Sequence, residues 1–300
     1  NGERKKKFNI LPREYQLKYI ISCYKACNDF NSKLKTKNVK PQLKTKKLYT
    51  IDNLIQEQTK NEKAKYRIVG LTLETRPDYI DEEEIKWMRV LGCTRVEIGV
   101  QSIYDRVLNK NNRGHKVSST IKATKLMKDA GLKICYHMMP NLYGSNPKLD
   151  LQMFKELFSN PDFQPDLIKI YPCVVTKYSQ LKKLYRNKKY VPYTDKQLID
   201  LIIKIKQLIP PYVRIQRLGR DIPADNIVGG SKLSNIRQVV QDCKSYKCNC
   251  IRCREIREDV KSDVKLKRIN YDASGGKEIF LQYIDNNNRL YALLRLRINS

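Results

Sequence analysis

Short apolar runs alternate along this chain with segments whose apolar positions recur every three or four residues. The apolar runs predict strands at 71–73, 96–100, 133–139, 167–171 and 213–218. The periodic segments predict helices at 12–30, 81–91, 116–130, 149–157 and 195–208. Asp81 with Glu84, and Thr194 with Gln197, are placed as capping boxes at two of the helix starts. Strands and helices that alternate at these lengths are typical of βαβ units, so the sequence predicts a parallel α/β sheet.

Polar residues come directly after several of the predicted strands. Strands joined by helical crossovers run parallel, so their carboxyl ends meet at one edge, where α/β folds bind ligands. The residues expected at that edge are Glu74, Arg76, Gln101, Ser102, His137 and Tyr171. Glu97 lies inside a strand and is expected either to point into the barrel or to form a buried salt bridge. Because no reversal interrupts the consecutive units, a partial (β/α) barrel is favoured over an open sheet.

Several segments closely resemble the catalytic subunit of the Elongator complex. They are LTLETRPDYI, GCTRVEIGVQSIYD, NRGH, HMMPNL, IKIYPCVV, RIQRLGRDIPADNI and CNCIRCREI, and they occur in the same order over residues 8–300. The resemblance implies a radical S-adenosylmethionine (SAM) barrel with a [4Fe–4S] cluster, followed by an acetyltransferase domain. Together these would act as a transferase that uses acetyl-CoA to carboxymethylate C5 of the wobble uridine of tRNA.

The resemblance also implies roles for the residues at the strand ends. It assigns four of them to the cofactor site: Glu74, Arg76, Gln101 and Ser102. It assigns His137 and Tyr171 to the substrate side, as catalytic residues. A second interpretation is a non-catalytic, basic RNA-binding scaffold with the same fold. A cysteine triad immediately upstream of Asn1 in the complete gene would favour the enzyme, and its absence would favour the scaffold.

Some functional segments of the family are not found in this sequence. No spacing of the nine cysteines resembles the triad that holds the [4Fe–4S] cluster, and no equivalent of the CoA-binding glycine loop is found. We therefore expect an internal fragment that is inactive by itself. The first expected domain is a radical-SAM-type barrel at 1–221, with its first unit missing and a Lys-rich insertion near 31–48. A Cys-rich connector is expected at 222–262, and the first strands of an α+β acetyltransferase-like domain are expected at 263–300. In the last, 278–283 and 290–296 predict a hairpin.

Four of the cysteines are crowded into the segment DCKSYKCNCIRCRE. They are Cys243, Cys248, Cys250 and Cys253. Four thiolates match tetrahedral zinc in number and type, and a four-cysteine site leaves no position open for a substrate, which favours a structural role. A disulfide pair and free reactive thiols are the alternatives. The lack of a signal peptide and the scattered remaining cysteines favour a reducing compartment over a disulfide.

The charge of the chain points to a polyanionic partner. Sixty Lys and Arg residues stand against 31 Asp and Glu residues, a formal net charge of +29. One basic cluster contains Lys182, Lys183, Arg186, Lys188 and Lys189, interleaved with Tyr185 and Tyr190. Basic residues among aromatic rings suit RNA, although a solvated Lys-rich surface is the alternative. We expect tRNA as a partner, together with other Elongator subunits or a second copy of the chain, in the cytoplasm or the nucleus. No apolar run is long enough for a membrane span.

Overall fold

The structure is a computed structural model that describes residues 8–33, 49–220, 222–243, 246–257 and 263–299. Nearly all of the Lys-rich insertion predicted near residues 31–48 therefore lies outside the described residues. Contacts divide the chain into two units, and the boundary between them falls within the second strand. The first unit comprises Asn1–Thr75 and Asp81–Val96, and the second comprises Arg76–Ile80 and Glu97–Ser300.

Helices and strands alternate through most of the described chain. The helices are α1 (Arg13–Lys33), α2 (Ile51–Glu62), α3 (Glu82–Val90), α4 (Asp105–Lys110), α5 (Val117–Asp129), α6 (Pro147–Ser159), α7 (Leu181–Arg186), α8 (Asp195–Leu208), α9 (Ile236–Asp242) and α10 (Ile251–Arg254). The strands are β1 (Thr72–Thr75), β2 (Arg95–Gln101), β3 (Lys133–Met138), β4 (Leu167–Ile170), β5 (Val175–Thr176), β6 (Arg214–Leu218), β7 (Ile227–Gly229), β8 (Lys265–Ala273), β9 (Gly276–Ile284) and β10 (Leu290–Ile298). The predicted alternation is confirmed.

In the first unit, α1 and α2 pack together, and both contact α3: Trp87 donates to Gln16 of α1, and Gln58 of α2 donates to the carbonyl of Val90. The amides of Thr94 and Arg95 both donate to the carbonyl of Leu71, which aligns the beginnings of β1 and β2. Asp81 caps α3 by accepting from the amide of Glu84 at 2.7 Å. The carboxylate of Glu84 accepts from Arg13 at 2.7 Å. The hydrogen bond from the Glu84 amide to the Asp81 side chain, which is one half of the predicted capping box, is therefore present. The side chain of Glu84 forms a salt bridge to Arg13 of α1 in place of the other half.

In the second unit, the strands lie in the order β2-β3-β4-β6, with α5, α6 and α8 as crossovers. β3 pairs with β4, and β4 with β6, in parallel register. At the carboxyl ends, Met139 N donates to Gln101 O, Tyr171 N to Met138 O and Gly219 N to Ile170 O, at 2.8–2.9 Å. The fold class predicted from the sequence is confirmed, and the carboxyl ends of these strands meet at one edge.

The C-terminal strands form an antiparallel sheet in the order β10-β9-β8. Buried charges join this sheet to the barrel strands and to α5. Lys128 Nζ lies 3.6 Å from Asp166 and 3.4 Å from Glu278, while Arg295 and Arg297 reach the same two carboxylates at 3.0 and 2.9 Å. Lys128, Asp166 and Glu278 are almost fully buried. Each charge in the network therefore has an opposite charge within reach, as burial requires.

Candidate functional site

Gln101 and Ser102 lie at the carboxyl end of β2, and both are buried. Gln101 has a φ of +69°, in the left-handed region that non-glycine residues adopt infrequently. Its Oε1 atom is buried and has no hydrogen-bond partner among the described residues. A buried acceptor without a partner is costly, so this atom is suited to a ligand that donates a hydrogen bond.

The two predicted catalytic residues come together at the same edge. The rings of His137 and Tyr171 meet edge to face, with centroids 5.4 Å apart. The guanidinium of Arg220, which follows β6, lies 5.2 Å from the centroid of the Tyr171 ring. The three side chains form a row from the buried His137 to the exposed Arg220. The structure therefore brings Gln101, His137 and Tyr171 to one edge, as the sequence predicts.

Glu97 anchors this row from inside the barrel. His137 Nε2 lies 2.8 Å from Glu97 Oε2, and Lys169 Nζ donates to the same oxygen. Burial alone raises the pKa of Glu97, but the hydrogen bonds from His137 and Lys169 and the charge of Lys169 lower it to about 2. Glu97 is thus an ionised carboxylate, and the buried salt bridge considered for it from the sequence is present. The sequence analysis did not identify Lys169 as its partner.

Arg113, in the loop between α4 and α5, is a site residue that the sequence analysis missed. It is half-buried, and its Nε atom has no hydrogen-bond partner in the described part of the chain. Burial, followed by the charges of Arg76 and Arg220, lowers the pKa of Arg113. Repulsion from these neighbours shows that positive charge accumulates at this edge, which is a setting for an anionic ligand. The sequence signal was available in the NRGH segment.

Arg76 is engaged by the protein itself. It donates to both carboxylate oxygens of Asp78, at 2.9 and 2.6 Å, and to the carbonyl of Gly114 at 2.8 Å. Gly114 has a φ of +73°, and a Cβ atom there would lie 3.0 Å from the Arg76 guanidinium. Arg76 therefore holds the loop that carries Arg113. Glu74 is an exposed residue of β1, in the first unit.

Three of the four clustered cysteines come together. The Sγ atoms of Cys248, Cys250 and Cys253 lie within 4.8 Å of one another. Cys243 is outside this group, and its thiol donates to the carbonyl of Val239 at 3.4 Å. Hydrogen bonds from Cys248 and Cys250, and then the charge of Lys206, lower the pKa of Cys253, whereas the pKa values of Cys248 and Cys250 are raised. Cys253 is therefore the thiolate of the group, and the other two thiols would have to lose their protons to a metal ion.

The cysteine group lies at the opposite edge of the sheet from Gln101. The amide of Ile251, between Cys250 and Cys253, donates to the carbonyl of Val213, which immediately precedes β6. Arg214, the first residue of β6, pairs with Glu255 at 2.7 Å. The cysteines therefore lie near the amino end of β6, away from the carboxyl edge that carries the candidate site.

The basic cluster is on α7 and the turn after it. Lys183, Arg186, Lys188 and Lys189 are exposed, and Lys182 is partly buried and donates to the carbonyl of Lys177 at 3.2 Å. Tyr190 is a core residue whose hydroxyl donates to the carbonyl of Asn141 at 2.7 Å. The expectation that Tyr190 offers a stacking face is wrong, because burial covers it.

Two further tyrosines, Tyr185 within the cluster and Tyr178 on its N-terminal side, differ in exposure. Tyr185 is only partly exposed, and its ring packs so closely on Gly229 that a Cβ atom there would lie 2.8 Å away. Tyr178 is 92% exposed. Tyr178 is therefore the aromatic residue that is open to a base, and the sequence analysis overlooked it.

Comparisons with known proteins agree with this architecture. Residues 41–156 match the Radical SAM superfamily, and residues 165–244 match the Radical_SAM C-terminal domain. The solved archaeal Methanocaldococcus infernus Elp3 with N-terminus deletion (1–46) is 43% identical with a TM-score of 0.86, covering 98% of this chain and 67% of that one. The chain belongs to the family of Elongator catalytic subunits.

Curated members of the family are similar along nearly the whole chain. The tRNA uridine(34) acetyltransferase of Methanocaldococcus infernus is 44% identical over 296 residues, which are 95% of this chain and 52% of that protein. The Elongator complex protein 3 of Saccharomyces cerevisiae is 36% identical over 300 residues, covering 97% of this chain and 50% of that protein. The chain thus spans about half the length of the curated relatives it matches. No helix among the described residues has both the length and the apolar character to cross a bilayer.

The radical SAM match implies SAM and a [4Fe–4S] cluster. The carboxyl edge fits SAM, because Gln101 Oε1 and Arg113 Nε are buried polar atoms that lack hydrogen-bond partners among the residues the structure describes. The described residues of this edge offer no group of three cysteines for the [4Fe–4S] cluster. The one trio of cysteines close enough to share an ion, as far as the chain is described, lies at the amino end of β6.

Proposed function

We propose that the protein modifies uridine 34 of tRNA by C5 carboxymethylation, with SAM as the cofactor and acetyl-CoA as the group donor. The observation that carries this proposal is the cationic carboxyl edge beside His137 and Tyr171, where Gln101 Oε1 and Arg113 Nε have no hydrogen-bond partner in the described part of the chain. The printed names of the relatives, which include tRNA uridine(34) acetyltransferase, support the same reaction class.

In this proposal Arg113 binds the carboxylate of SAM, and Gln101 accepts a hydrogen bond from its amino group. A guanidinium is always charged and matches a carboxylate in shape, which makes Arg113 the best-suited anion ligand at this edge. Ser102 extends the cofactor side, and Arg76 acts through the loop it holds. Bound SAM, with its cluster, supplies the radical chemistry of the reaction.

His137 and Tyr171 form the substrate side of the proposed site. Tyr171 offers an aromatic edge already fixed by contacts with His137 and Arg220, so little ordering is needed when a base arrives. Imidazole and phenol groups can both exchange hydrogen bonds with the uracil edge. We therefore assign His137 and Tyr171 as the residues that orient the uridine.

The basic cluster on α7 is proposed to bind the tRNA backbone. Lys183, Lys188 and Lys189 are exposed, as phosphate contacts require, and Tyr178 adds an open aromatic face for an unpaired base. Other Elongator subunits or a second copy of the chain are proposed as protein partners. The yeast relative is named as a component of that complex.

A structural zinc ion is proposed at Cys248, Cys250 and Cys253. Their sulfur atoms are close enough to share one ion, and Lys206 Nζ, 3.8 Å from Cys253 Sγ, offsets part of the thiolate charge. Cys243 becomes a fourth ligand only if its thiol leaves the carbonyl of Val239. The site would fasten the connector to the start of β6.

The reaction is tested with the full-length protein, SAM, a reductant, acetyl-CoA and a tRNA transcript that carries uridine 34. Mass analysis of the digested nucleosides should detect carboxymethylated uridine, and a transcript with cytidine 34 is the matched control. Tight binding of both transcripts without modification of uridine 34 would contradict the proposal. That outcome would favour the RNA-binding scaffold.

A further inference from the structure

Arg220 is an exposed cation at the carboxyl edge of the sheet. It comes two residues after Leu218, the last residue of β6. Gly219, between them, has a φ of +78° and donates its amide to the carbonyl of Ile170 at 2.9 Å, which fixes the chain where it leaves the sheet. The guanidinium of Arg220 then lies 5.2 Å from the centroid of the Tyr171 ring. The backbone and the ring together hold this charge beside Tyr171.

The contact with Tyr171 leaves the guanidinium able to bind an anion. A guanidinium is planar and carries five N–H donors around its edge, so an attraction between its charge and the face of a ring does not use them up. Because Arg220 is exposed, an anion can approach these donors from solvent. The ring also restricts the guanidinium before the anion arrives, which lowers the entropy lost on binding.

Arg113 and Arg220 suit different anions. Burial, and then the charges of Arg76 and Arg220, lower the pKa of Arg113, so the guanidinium groups act on one another across the edge. Arg113 is half-buried, which suits the carboxylate of a small, enclosed cofactor. Arg220 is exposed, which suits an anion that remains at the surface, such as a phosphate of an RNA strand.

The row of His137, Tyr171 and Arg220 matches the order of groups in a nucleotide. It runs from a buried end to an exposed end. In a nucleotide the ribose separates the base from the phosphates, so a uridine whose base contacts Tyr171 has its phosphates on the solvent side, where Arg220 lies. Single-stranded RNA loops are recognised in this manner, with an unstacked base held in the protein and the backbone held outside.

We propose that Arg220 binds a backbone phosphate next to uridine 34 and so positions that nucleotide against Tyr171. The identity of the nucleotide rests on the proposed function. The phosphate is the one on the 5′ side or the one on the 3′ side of the uridine. Arginine suits this place better than lysine, because its fork matches two phosphate oxygens and its plane packs on an aromatic ring.

The test measures the binding of anticodon stem-loop RNAs to the full-length protein by fluorescence anisotropy. A neutral methylphosphonate replaces the phosphate on the 5′ side of uridine 34, the phosphate on its 3′ side, or a phosphate in the stem. Wild type should bind one of the first two RNAs about tenfold more weakly than the unmodified RNA, the value of a charged hydrogen bond, and this RNA identifies the phosphate. Arg220→Gln should bind the unmodified RNA about tenfold more weakly and should no longer distinguish the neutral linkages.

Arg268→Gln is the matched control, since Arg268 is an exposed arginine on β8. It should bind all the RNAs as wild type does. The proposal would be overturned if folded Arg220→Gln kept the wild-type response to the neutral linkages, or if wild type bound all the RNAs equally well. Because binding is measured without turnover, the proposed reaction can fail separately. A linkage effect that depends on Arg220, found with unmodified uridine 34 after the full reaction, would contradict the reaction and support the phosphate contact.

Discussion

Removing the exposed charge of α7 should weaken tRNA binding in a way that depends on salt. The perturbation is the simultaneous change to Ala of Lys182, Lys183, Lys188 and Lys189. Phosphate contacts by lysine release counterions from the nucleic acid, so affinity falls as salt rises, in proportion to the number of contacts. The variant should therefore bind more weakly at low salt and respond less to added salt.

The expected change follows from the exposure of the four side chains. Lys183, Lys188 and Lys189 are exposed, whereas Lys182 already donates to the carbonyl of Lys177. Three free contacts, each worth about 0.7–0.9 in the slope of log K against log salt, lower its magnitude by about 2–3. If Lys182 also contacts a phosphate, its loss lowers the magnitude of the slope by about a further 0.7–0.9.

The assay is titration of labelled tRNA with the protein at four or more salt concentrations. A control variant removes the same charge from exposed lysines on α5, α6 and α8, namely Lys122, Lys148, Lys196 and Lys204. The slope of the control variant should differ from the wild-type slope by less than about 0.9, the contribution of one phosphate contact, whereas the slope of the α7 variant should differ by more. Equal slopes for wild type and the α7 variant would show that the cluster is only a solvated surface.

Four further outcomes are expected. Metal analysis should find about one equivalent of zinc in wild type, and Cys250→Ser should release this zinc and expose the connector to protease. Wild type that is purified without chelator and contains no metal would contradict the proposed site. Arg113→Ala should weaken SAM binding measured by calorimetry by about ten- to hundredfold, the value of a charged hydrogen bond, and an unchanged affinity would remove Arg113 from the cofactor site. Tyr178→Ala should weaken binding of single-stranded RNA several-fold without changing the salt slope. An unchanged affinity would show that the Tyr178 ring makes no stacking contact. The folded-state pKa of Glu97 is lowered from 4.5 to about 2, so its ionisation stabilises the fold by about 3 kcal/mol above pH 4.5, and this contribution is lost as the pH falls towards 2. In Glu97→Gln the free energy of urea unfolding should therefore vary less with pH over that range. A pH profile equal to that of wild type would refute the ionised state assigned to Glu97.

The sequence predicted the repeating units because their helices are amphipathic and carry local start signals. The predicted helix at 195–208 coincides with α8, and Thr194 and Gln197 form both halves of its capping box. β8 was not predicted, since most of its side chains are exposed and four of the nine are charged, which removes the apolar alternation of a half-buried strand. Local patterns thus succeeded where one face of an element is buried.

The candidate site was predicted in part for a similar reason. Gln101, His137 and Tyr171 lie at or next to the carboxyl ends of β2, β3 and β4, so the parallel topology alone brings them to one edge. The role of Arg113 could not be derived in this way, because it depends on a loop position set by tertiary contacts of Arg76 and Gly114. The same limit applies to Tyr190, whose burial follows from the packing of its hydroxyl on the carbonyl of Asn141 and from no local pattern.

We propose that the carboxyl edge of the sheet is the active site for uridine 34. Its most direct test compares full-length wild type with Arg113→Ala and His137→Gln, measuring modified uridine in tRNA by mass analysis and tRNA binding in parallel. Both variants should bind tRNA with the wild-type affinity and salt slope, and both should lose modification by at least about tenfold. Wild-type modification by either folded variant would contradict the assignment of that residue, and by both would contradict the site.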